Sequence, residues 1–489
     1  MGRAKADADH RSITGTDFLQ LNIADAPAGG LSDWLADRLR LAISDGRLPV
    51  GSRLPATRVL AAELRVSRGV VTEAYQRLNE DGHLAGRGRG GTVVVATPTA
   101  APLIAMPSVP AGPPAALLGA APGEDVFDAM RAAPARIDLT PGVPDLAAFP
   151  RTAWLRAERS VLADLSPSAF GYGDPRGTPA LRLAVARWVA RNRGIRVHPG
   201  EVVVVAGVAQ ALGLIAQVLR RRGISEAAVE DPGSLGVRQH LQNWDLHTPP
   251  IPVDADGFRV DALRDSGAPV ALLTPAHQFP TGVVLAGSRR RELIAWAGQG
   301  GLIIEDDYDA EHRYDRPAVP ALRSMLEEVY YAGSVSKLLA PALRVGWVLA
   351  PPQYRDDIVA AKRVADLGNA ALAQLVLARL MESGDLERHL RLLRRRHRRR
   401  RDAMIRAIRT HLPGATVHGA AAGLHLMVTF DADLSDTDLA AAALARGVKV
   451  QPLTWHRQRP GPPGLVLGYA ARTATEIDEA ITTLGEILA

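Results

Sequence analysis

Short apolar runs that end in polar residues recur along the chain after residue 137, and they constrain its fold most. The runs are EVVVVAG (201–207), AAVED (227–231), PVALLTP (269–275), GLIIEDDY (301–308), VYYAGS (329–334) and GWVLA (346–350). Continuous apolar character is typical of strands covered on both faces, so we predict an α/β fold with a mainly parallel sheet. Ligands of such sheets bind beyond the carboxyl ends of the strands, where the polar residues stand.

The polar residues that follow these runs are the candidate site. They are Asp306, Asp307 and Tyr308 after one run, Ser334, Ser336, Lys337 and Arg344 after another, His277 and Gln278 after a third, and a helix start at Val208 and Ala209 after a fourth. Free N–H groups at a helix start can hold a phosphate.

Considered alone, Lys337 allows three interpretations. It is a solvated surface charge, a general base beside a nucleophilic serine, or an amine that forms a Schiff base. The spacing Ser334-x-x-Lys337 matches the serine–lysine pair of penicillin-recognising enzymes, but neither S-D-N nor K-T-G occurs in the chain. DDYDAEH (306–312) alone also fits an acidic metal-binding loop, although we predict no metal site.

Together these residues fit pyridoxal 5'-phosphate (PLP). That cofactor needs an amine, a carboxylate for the ring nitrogen, and cations and N–H groups for its phosphate.

A Pro-, Ala- and Gly-rich stretch at 97–125 divides the chain, whose 489 residues are too many for one core. We predict an N-terminal tail (1–30), a small domain (31–96), a linker (97–136) and a large domain (137–489).

The small domain has the pattern of a helix-turn-helix followed by a hairpin. Its third helix is predicted to start at Ser67 and to bury Val71, Ala74, Tyr75 and Leu78. A connection of about three residues separates it from the second helix, short enough for a helix-turn-helix. Arg68 and Thr72 on the outer face of the third helix and Arg58 on the second helix, with Arg87 and Arg89 in the hairpin turn, suit phosphates and base edges. The alternative is a small domain with solvated arginines.

Composition narrows the class of protein. The net charge of +6 permits a polyanionic partner without requiring one. The absence of cysteine excludes disulfides, zinc–cysteine sites and thiol catalysis, and no apolar run approaches the roughly 18 residues of a membrane span. We therefore expect a cytoplasmic protein without a membrane partner.

The stretch from LRLAISDGRLPVGSRLP to GRGRGGTVV resembles the winged helix-turn-helix of the GntR superfamily. This resemblance implies binding to a double-stranded DNA operator. The contacts it implies are Arg58, Ser67, Arg68, Thr72 and the wing around Gly91, with Arg87, Arg89 and Thr92.

The large region resembles fold-type I aminotransferases, and the whole chain resembles the MocR/GabR regulators. FGYGDPRGTPALRLAVARWV, TPAHQFPTGVVL, IIEDDYDAEHRYDRPAVPAL and GSVSKLLAPALRVGW carry the resemblance. It implies a PLP-dependent transferase fold-type I domain with a smaller α+β subdomain, acting as a homodimer. By position, Lys337 would form the internal aldimine, Asp306 would hold the ring nitrogen, and Tyr308, with His277 or Gln278, would lie at the ring oxygen. The phosphate would be held by Ser334, Ser336, Arg344, the backbone of Val208 and Ala209, and Tyr172 of the other subunit.

Two positions depart from the family pattern. Ser234 stands where a tyrosine usually stacks on the ring, and Val466 stands where many aminotransferases carry an arginine for the substrate carboxylate. Arg457 and Arg472 are candidates to replace that arginine. We predict a transcription regulator that senses PLP or an amine or amino-acid effector; the alternative is a working aminotransferase with an accessory DNA-binding domain.

Overall fold

The computed structural model describes residues 21, 23, 26–27, 30–88, 91–96, 117–119, 121–314, 319–431 and 433–489. Most of the predicted tail, Arg89 of the predicted turn, and residues 97–116 of the predicted linker lie outside them. The chain divides into two compact units, residues 1–110 and 111–489.

The described residues of the first unit form three helices and a two-stranded antiparallel hairpin. These are α1 (Leu31–Ser44), α2 (Thr57–Leu64), α3 (Arg68–Glu80), β1 (Leu84–Gly86) and β2 (Thr92–Val94). Residues 65–67 connect α2 to α3, and Arg65 makes the turn in the left-handed conformation with φ of 54°. The predicted buried face of α3 is confirmed, since all four of its residues pack into the core of this unit.

The second unit alternates helices with strands. Its helices are α4 (Val126–Ala132), α5 (Arg151–Asp164), α6 (Pro179–Arg193), α7 (Val208–Arg221), α8 (Leu235–Gln242), α9 (Val260–Ser266), α10 (Gly287–Ala297), α11 (Arg355–Asp366), α12 (Ala371–Glu382), α13 (Asp385–His411), α14 (Asp436–Ala445) and α15 (Ala474–Leu488). Its strands are β3 (Ile137–Asp138), β4 (Val202–Val205), β5 (Ala228–Asp231), β6 (Pro250–Asp254), β7 (Gly257–Phe258), β8 (Val270–Leu273), β9 (Leu302–Asp307), β10 (Val329–Ser334), β11 (Gly346–Leu349), β12 (Ala415–His418), β13 (His425–Phe430), β14 (Val448–Lys449), β15 (Gln451–Pro452) and β16 (Gly464–Gly468). None of the described helices has the length and apolar character to span a membrane.

The large sheet confirms the predicted fold class. Its strand order is β4-β11-β10-β9-β8-β5-β6-β7, and the central strands β10, β9, β8, β5 and β6 pair in parallel. Strand β11 pairs antiparallel with both β10 and β4, which makes the sheet mixed. Each of the six apolar runs forms one of these strands.

A smaller antiparallel sheet of order β12-β13-β16-β15 forms a second layer, beside a parallel pair of β14 with β3. Helix α13 joins the two parts. Leu386, Leu390 and Leu393 of its first half pack in the core against the large sheet, whereas Met404 and Ile408 pack in the core of the smaller subdomain.

Two elements were not expected from the sequence. Strand β6 carries Pro250 and Pro252, and proline normally argues against an inner strand because it lacks an N–H donor. Helix α4 lies within the predicted linker, because Val126 and Met130 are buried against the core of the smaller subdomain.

A buried ion pair connects the end of α6 to the end of β9. The Arg193 side chain donates to Asp307, and both side chains are almost completely buried. Tyr331 also donates its hydroxyl to Asp307. Burial alone would lower the pKa of Arg193, but Asp307, Tyr331 and Glu305 raise it above its ordinary value, so the guanidinium stays charged.

We expect Arg193→Met to destabilise the second unit by about 3–5 kcal/mol, because Asp307 would remain buried without its cation. Urea unfolding followed by tryptophan fluorescence measures this change. The matched control is Arg191→Met on the same helix, whose ion pair with Glu387 is exposed and should contribute less than about 1 kcal/mol. Equal losses of stability in the two variants would contradict this assignment.

Candidate functional site

A cavity of about 560 Å³ lies at the carboxyl ends of β9 and β10, where the sequence places its polar residues. Such a volume is typical of small-molecule sites. The structure brings most of the predicted cofactor residues to its wall. These are Lys337, Asp306, Tyr308, Ser334, Ser336, Arg344, Val208 and Ala209.

Lys337 lies half-buried on the wall of this cavity, and its ammonium group donates to the carbonyl oxygen of Gly142. A Cβ atom at Gly142 would lie only 3.0 Å from the lysine nitrogen, and the φ of 83° at this position also favours glycine. Burial lowers the pKa of Lys337, while Asp309 and Asp306 act to raise it. The net lowering increases the fraction of neutral, nucleophilic amine.

Asp306 presents an unsatisfied acceptor. Its Oδ1 atom is buried and accepts no hydrogen bond from the described residues. Burial raises the pKa of Asp306 to about 7, and the neighbouring Asp307 and Asp309 add to the rise, whereas Lys337 opposes it. A cationic donor in the cavity would pair with this carboxylate and satisfy it.

Tyr308 is linked to His277 behind the cavity wall. Nδ1 of His277 lies 2.9 Å from the Tyr308 hydroxyl and 3.0 Å from Oδ2 of Asp309. Burial and the charge of Asp309 raise the pKa of Tyr308 well above its ordinary value, so the phenol keeps its proton. Gln278 instead holds a turn, since its amide donates to Pro232 O at 2.9 Å and accepts from Thr281 N at 3.0 Å.

Several groups that can donate hydrogen bonds lie near the start of α7. Gly207 has φ of 85°, and a Cβ atom there would lie 3.3 Å from Nη1 of Arg344. The first N–H groups of a helix lack intrahelical partners and carry partial positive charge. Val208 and Ala209 supply such groups to the cavity, together with the hydroxyls of Ser334 and Ser336 and the guanidinium of Arg344.

The structure gives three further residues from the sequence analysis, Tyr172, Ser234 and Val466, three different environments. The structure leaves Tyr172 97% exposed, outside the cavity wall. Ser234 lines the cavity, and its hydroxyl caps α8 by accepting from Val237 N at 3.4 Å. Val466 is fully buried beside Met427 and Leu453 and contributes nothing to the cavity wall.

The DNA-binding candidates lie on the first unit. Arg58, Ser67, Arg68, Thr72, Arg87 and Gly91 are exposed, and Thr92 is half-buried. Ser67 occupies the N-cap position of α3 but makes no side-chain capping hydrogen bond. Nε of Arg68 donates to Oγ1 of Thr57 at 3.3 Å, which orients the arginine on the outer side of α3.

Sequence reasoning missed several residues of the cavity wall, among them Lys449, Gln451, His425 and His456. Burial lowers the pKa of both histidines to about 3, so their rings are neutral at physiological pH. No local pattern marks these residues, because the small sheet and the pairing of β14 with β3 bring them to the cavity. The described residues contain no group of three or more His, Asp or Glu side chains placed to hold a metal ion.

Two sequence families match the chain. The family described as aminotransferase class I and II matches residues 135–484, and that described as bacterial regulatory proteins, gntR family, matches residues 31–94. The first match contains the cavity, and the second contains the helix-turn-helix and hairpin.

Similar proteins contain both parts. The probable rhizopine catabolism regulatory protein MocR of Rhizobium meliloti is 32% identical over 92% of this chain and 92% of its own. The HTH-type pyridoxine biosynthesis transcriptional regulator PdxR of Corynebacterium glutamicum is 30% identical over 89% and 91% of the two chains. Among solved structures, the α-aminoadipate aminotransferase LysN of Thermus thermophilus, complexed with N-(5'-phosphopyridoxyl)-L-leucine, has a TM-score of 0.68 at 26% identity and covers 77% of this chain and 96% of its own.

Glu230, at the end of β5, is a further buried carboxyl group near the cavity. It accepts from Thr274 N at 3.2 Å and from the Thr274 hydroxyl at 2.7 Å. Burial raises its pKa to about 8, although the hydrogen bonds from Thr274 and Gln278 oppose the rise.

We expect Glu230→Gln to flatten the pH dependence of stability of the cofactor-free protein. Between pH 4.5 and about 8 the folded state holds a proton at Glu230 that the unfolded chain has lost. Stability therefore falls in this window as pH rises, by about 1.4 kcal/mol per pH unit from this group. Urea unfolding at several pH values measures the difference between variant and wild type, with the exposed Glu226→Gln as control. A difference that does not change with pH would contradict this expectation.

Proposed function

Because this chain belongs to the aminotransferase class I and II family and matches the regulator MocR over most of its length, we propose that it is a DNA-binding transcription regulator. In this proposal the second unit carries PLP on Lys337 and responds to PLP itself or to a small amine or amino acid. One observation carries the proposal: a single chain combines an exposed helix-turn-helix surface with a cavity lined by Lys337 and by Asp306, whose buried Oδ1 atom has no partner among the described residues.

The cavity wall fits the chemistry of PLP. Lys337 supplies the amine, and the free Oδ1 atom of Asp306 is an acceptor for a protonated ring nitrogen. When bound, the cofactor supplies an electron sink that this chain's own side chains lack. The Asp306 carboxylate would stabilise the cationic ring. The ring would in turn favour the ionised form of Asp306, whose pKa is about 7 without the cofactor.

The remaining groups would orient the cofactor. The start of α7, Arg344 and Ser334 would hold its phosphate, because N–H groups and a guanidinium converge beside Gly207. Tyr308 would donate its retained proton towards the ring oxygen, with His277 fixing the phenol from behind. We propose that Tyr172, exposed in the isolated chain, completes the phosphate site of a partner subunit in a homodimer.

Binding of a ligand to the second unit would regulate DNA binding through thermodynamic linkage. A ligand that binds two arrangements of a dimer unequally shifts their populations, and the DNA affinity of the dimer shifts by the reciprocal coupling. Arg58, Arg68 and Thr72 would contact the operator in the major groove, and the hairpin around Gly91 would contact its backbone.

An active aminotransferase is the second candidate function. The lowered pKa of Lys337, in a cavity that also holds Asp306 and Tyr308, favours it, since an unprotonated amine is needed for chemistry as well as for holding a cofactor. Repeated turnover with an amino donor and a keto acid would support this candidate, and a single half-reaction across a broad donor panel would exclude it.

One prediction of the proposed function concerns the attachment of PLP to Lys337. Adding PLP to cofactor-free wild type should produce a lysine-dependent visible absorption band, and Lys337→Ala should lose that band. Borohydride reduction should then fix the label on Lys337 among the four lysines of the chain, as peptide mapping would report. The control is Lys362→Arg, which keeps a charge beside Asp366 and should retain the band. A band of equal strength in Lys337→Ala would exclude this role.

Another prediction of the proposed function concerns the contribution of Arg68 to DNA binding. Arg68→Ala should weaken binding to the operator by about 1–3 kcal/mol and lower the salt dependence of binding by about one phosphate contact. Footprinting around the protein's own and neighbouring genes would locate the operator, and fluorescence anisotropy at several salt concentrations would measure the change. Arg38→Ala, an exposed arginine on α1, is the control and should bind like wild type. The absence of any protected operator would refute the regulator function.

A further inference from the structure

A second lysine, Lys449, reaches the cavity that holds Lys337. It ends β14, is 4% exposed, and lies on the cavity wall. Strand β14 pairs in parallel with β3, so that Lys449 lies beside Asp138 in the register. Only four lysines occur in the chain, and two of them, the half-buried Lys337 and the buried Lys449, line this one cavity.

The ammonium group of Lys449 lacks a close partner. Its nitrogen lies 3.6 Å from Oδ2 of Asp138, beyond ordinary hydrogen-bond distance, and no hydrogen bond to another described residue is present. Oδ1 of Asp138 is engaged by Thr140, since it accepts from Thr140 N at 2.9 Å and from the Thr140 hydroxyl at 2.7 Å, so only Oδ2 faces Lys449. An ammonium group has three donors, so donors of Lys449 are left for a ligand.

Lys449 and Gln451 form one polar edge of the cavity. Val450 between them points into the core of the smaller subdomain, as alternation along an extended chain requires, so the two polar side chains share the cavity side. Gln451 is the cross-strand neighbour of Val466, which is buried beside Met427 and Leu453. Strand β16, which carries Val466, therefore supplies no cation at this edge. Lys449, at the end of β14, supplies one.

We propose that Lys449 binds the anionic group of a small ligand that occupies the cavity together with the cofactor. The proposal rests on the proposed function and narrows the effector to an amine that also carries a carboxylate or a similar anion. The ion pair with Asp138 at 3.6 Å satisfies this buried cation only in part, and a ligand anion would accept the hydrogen bonds that the ammonium group does not make to the described residues. Phe127, Met130 and Leu424 on the same wall provide apolar contact for the body of the ligand.

The test uses the full-length protein loaded with PLP and three pairs of probes. Each pair is an amino acid and the amine left after removal of its carboxylate: L-leucine and isopentylamine, L-norvaline and butylamine, and β-alanine and ethylamine. Titration of the visible absorption spectrum gives an apparent affinity for each probe. Wild type should prefer at least one amino acid over its amine by about 30-fold or more, the factor expected for a buried charge pair.

Two variants isolate the role of Lys449. Lys449→Met should reduce the preference to near unity, and Lys449→Arg should restore much of it because the charge returns. Arg131→Gln is the matched control: it removes one positive charge from an exposed residue at the rim of the same cavity, and the preference should survive.

Several results would overturn the inference. Wild type without any preference for the amino acids, a preference that survives in Lys449→Met, or no spectral change with any amino acid at millimolar concentration would each do so. Weaker PLP binding in Lys449→Met would also overturn it, because the lysine would then serve the cofactor phosphate. Failure of the proposed function is a separate result, since wild type would then lack the Lys337-dependent band before any probe is added.

Discussion

Parallel pairing of β9 with β10 places Asp306 beside Ala332, and this register sets where Asp306, Tyr308, Ser334 and Lys337 meet at the cavity. Both strands end at the same edge of the sheet, so Asp306 and Tyr308 leave one strand where Ser334 and Lys337 leave its neighbour. The buried pair of Arg193 and Asp307 fixes this edge from beneath. A slip of one residue would turn each of these side chains to the opposite face of the sheet.

Three acidic residues at this edge of the sheet differ in the partners that the fold gives them. Glu305, Asp306 and Asp307 are consecutive and buried, yet only Asp307 has a buried arginine in direct contact. Glu305 accepts from Leu322 N and Arg323 N at 3.0 Å and is thereby satisfied by backbone. Asp306 has no such partner at Oδ1, and it is the one of the three that lines the cavity. The fold thus gives Glu305 and Asp307 internal partners, although Oδ1 of Asp307 also lacks one among the described residues, and Asp306 is the carboxyl group that faces the cavity.

Much of this arrangement could be predicted from local pattern. Six apolar runs identified six strands, and the residues that follow them include Lys337, Asp306 and Tyr308 because strand ends converge in a parallel sheet. Other parts could not be predicted in this way. Strand β6 carries prolines that argue against a strand, and Lys449 reaches the cavity only because β14 pairs with β3, about 300 residues earlier in the chain. Pairing over such a distance is set by packing of the whole subdomain, and no window of sequence around Lys449 reports it.

Helix α13 contributes Leu386 and Leu390 to the core against the large sheet and Met404 and Ile408 to the core of the smaller subdomain. Its 27 residues extend about 40 Å at the usual rise per residue. A continuous helix resists bending, so the two cores at its ends cannot move apart without breaking contacts at one of them. A relative movement of the two parts of this unit therefore has to bend α13 or rearrange its contacts in one of the two cores.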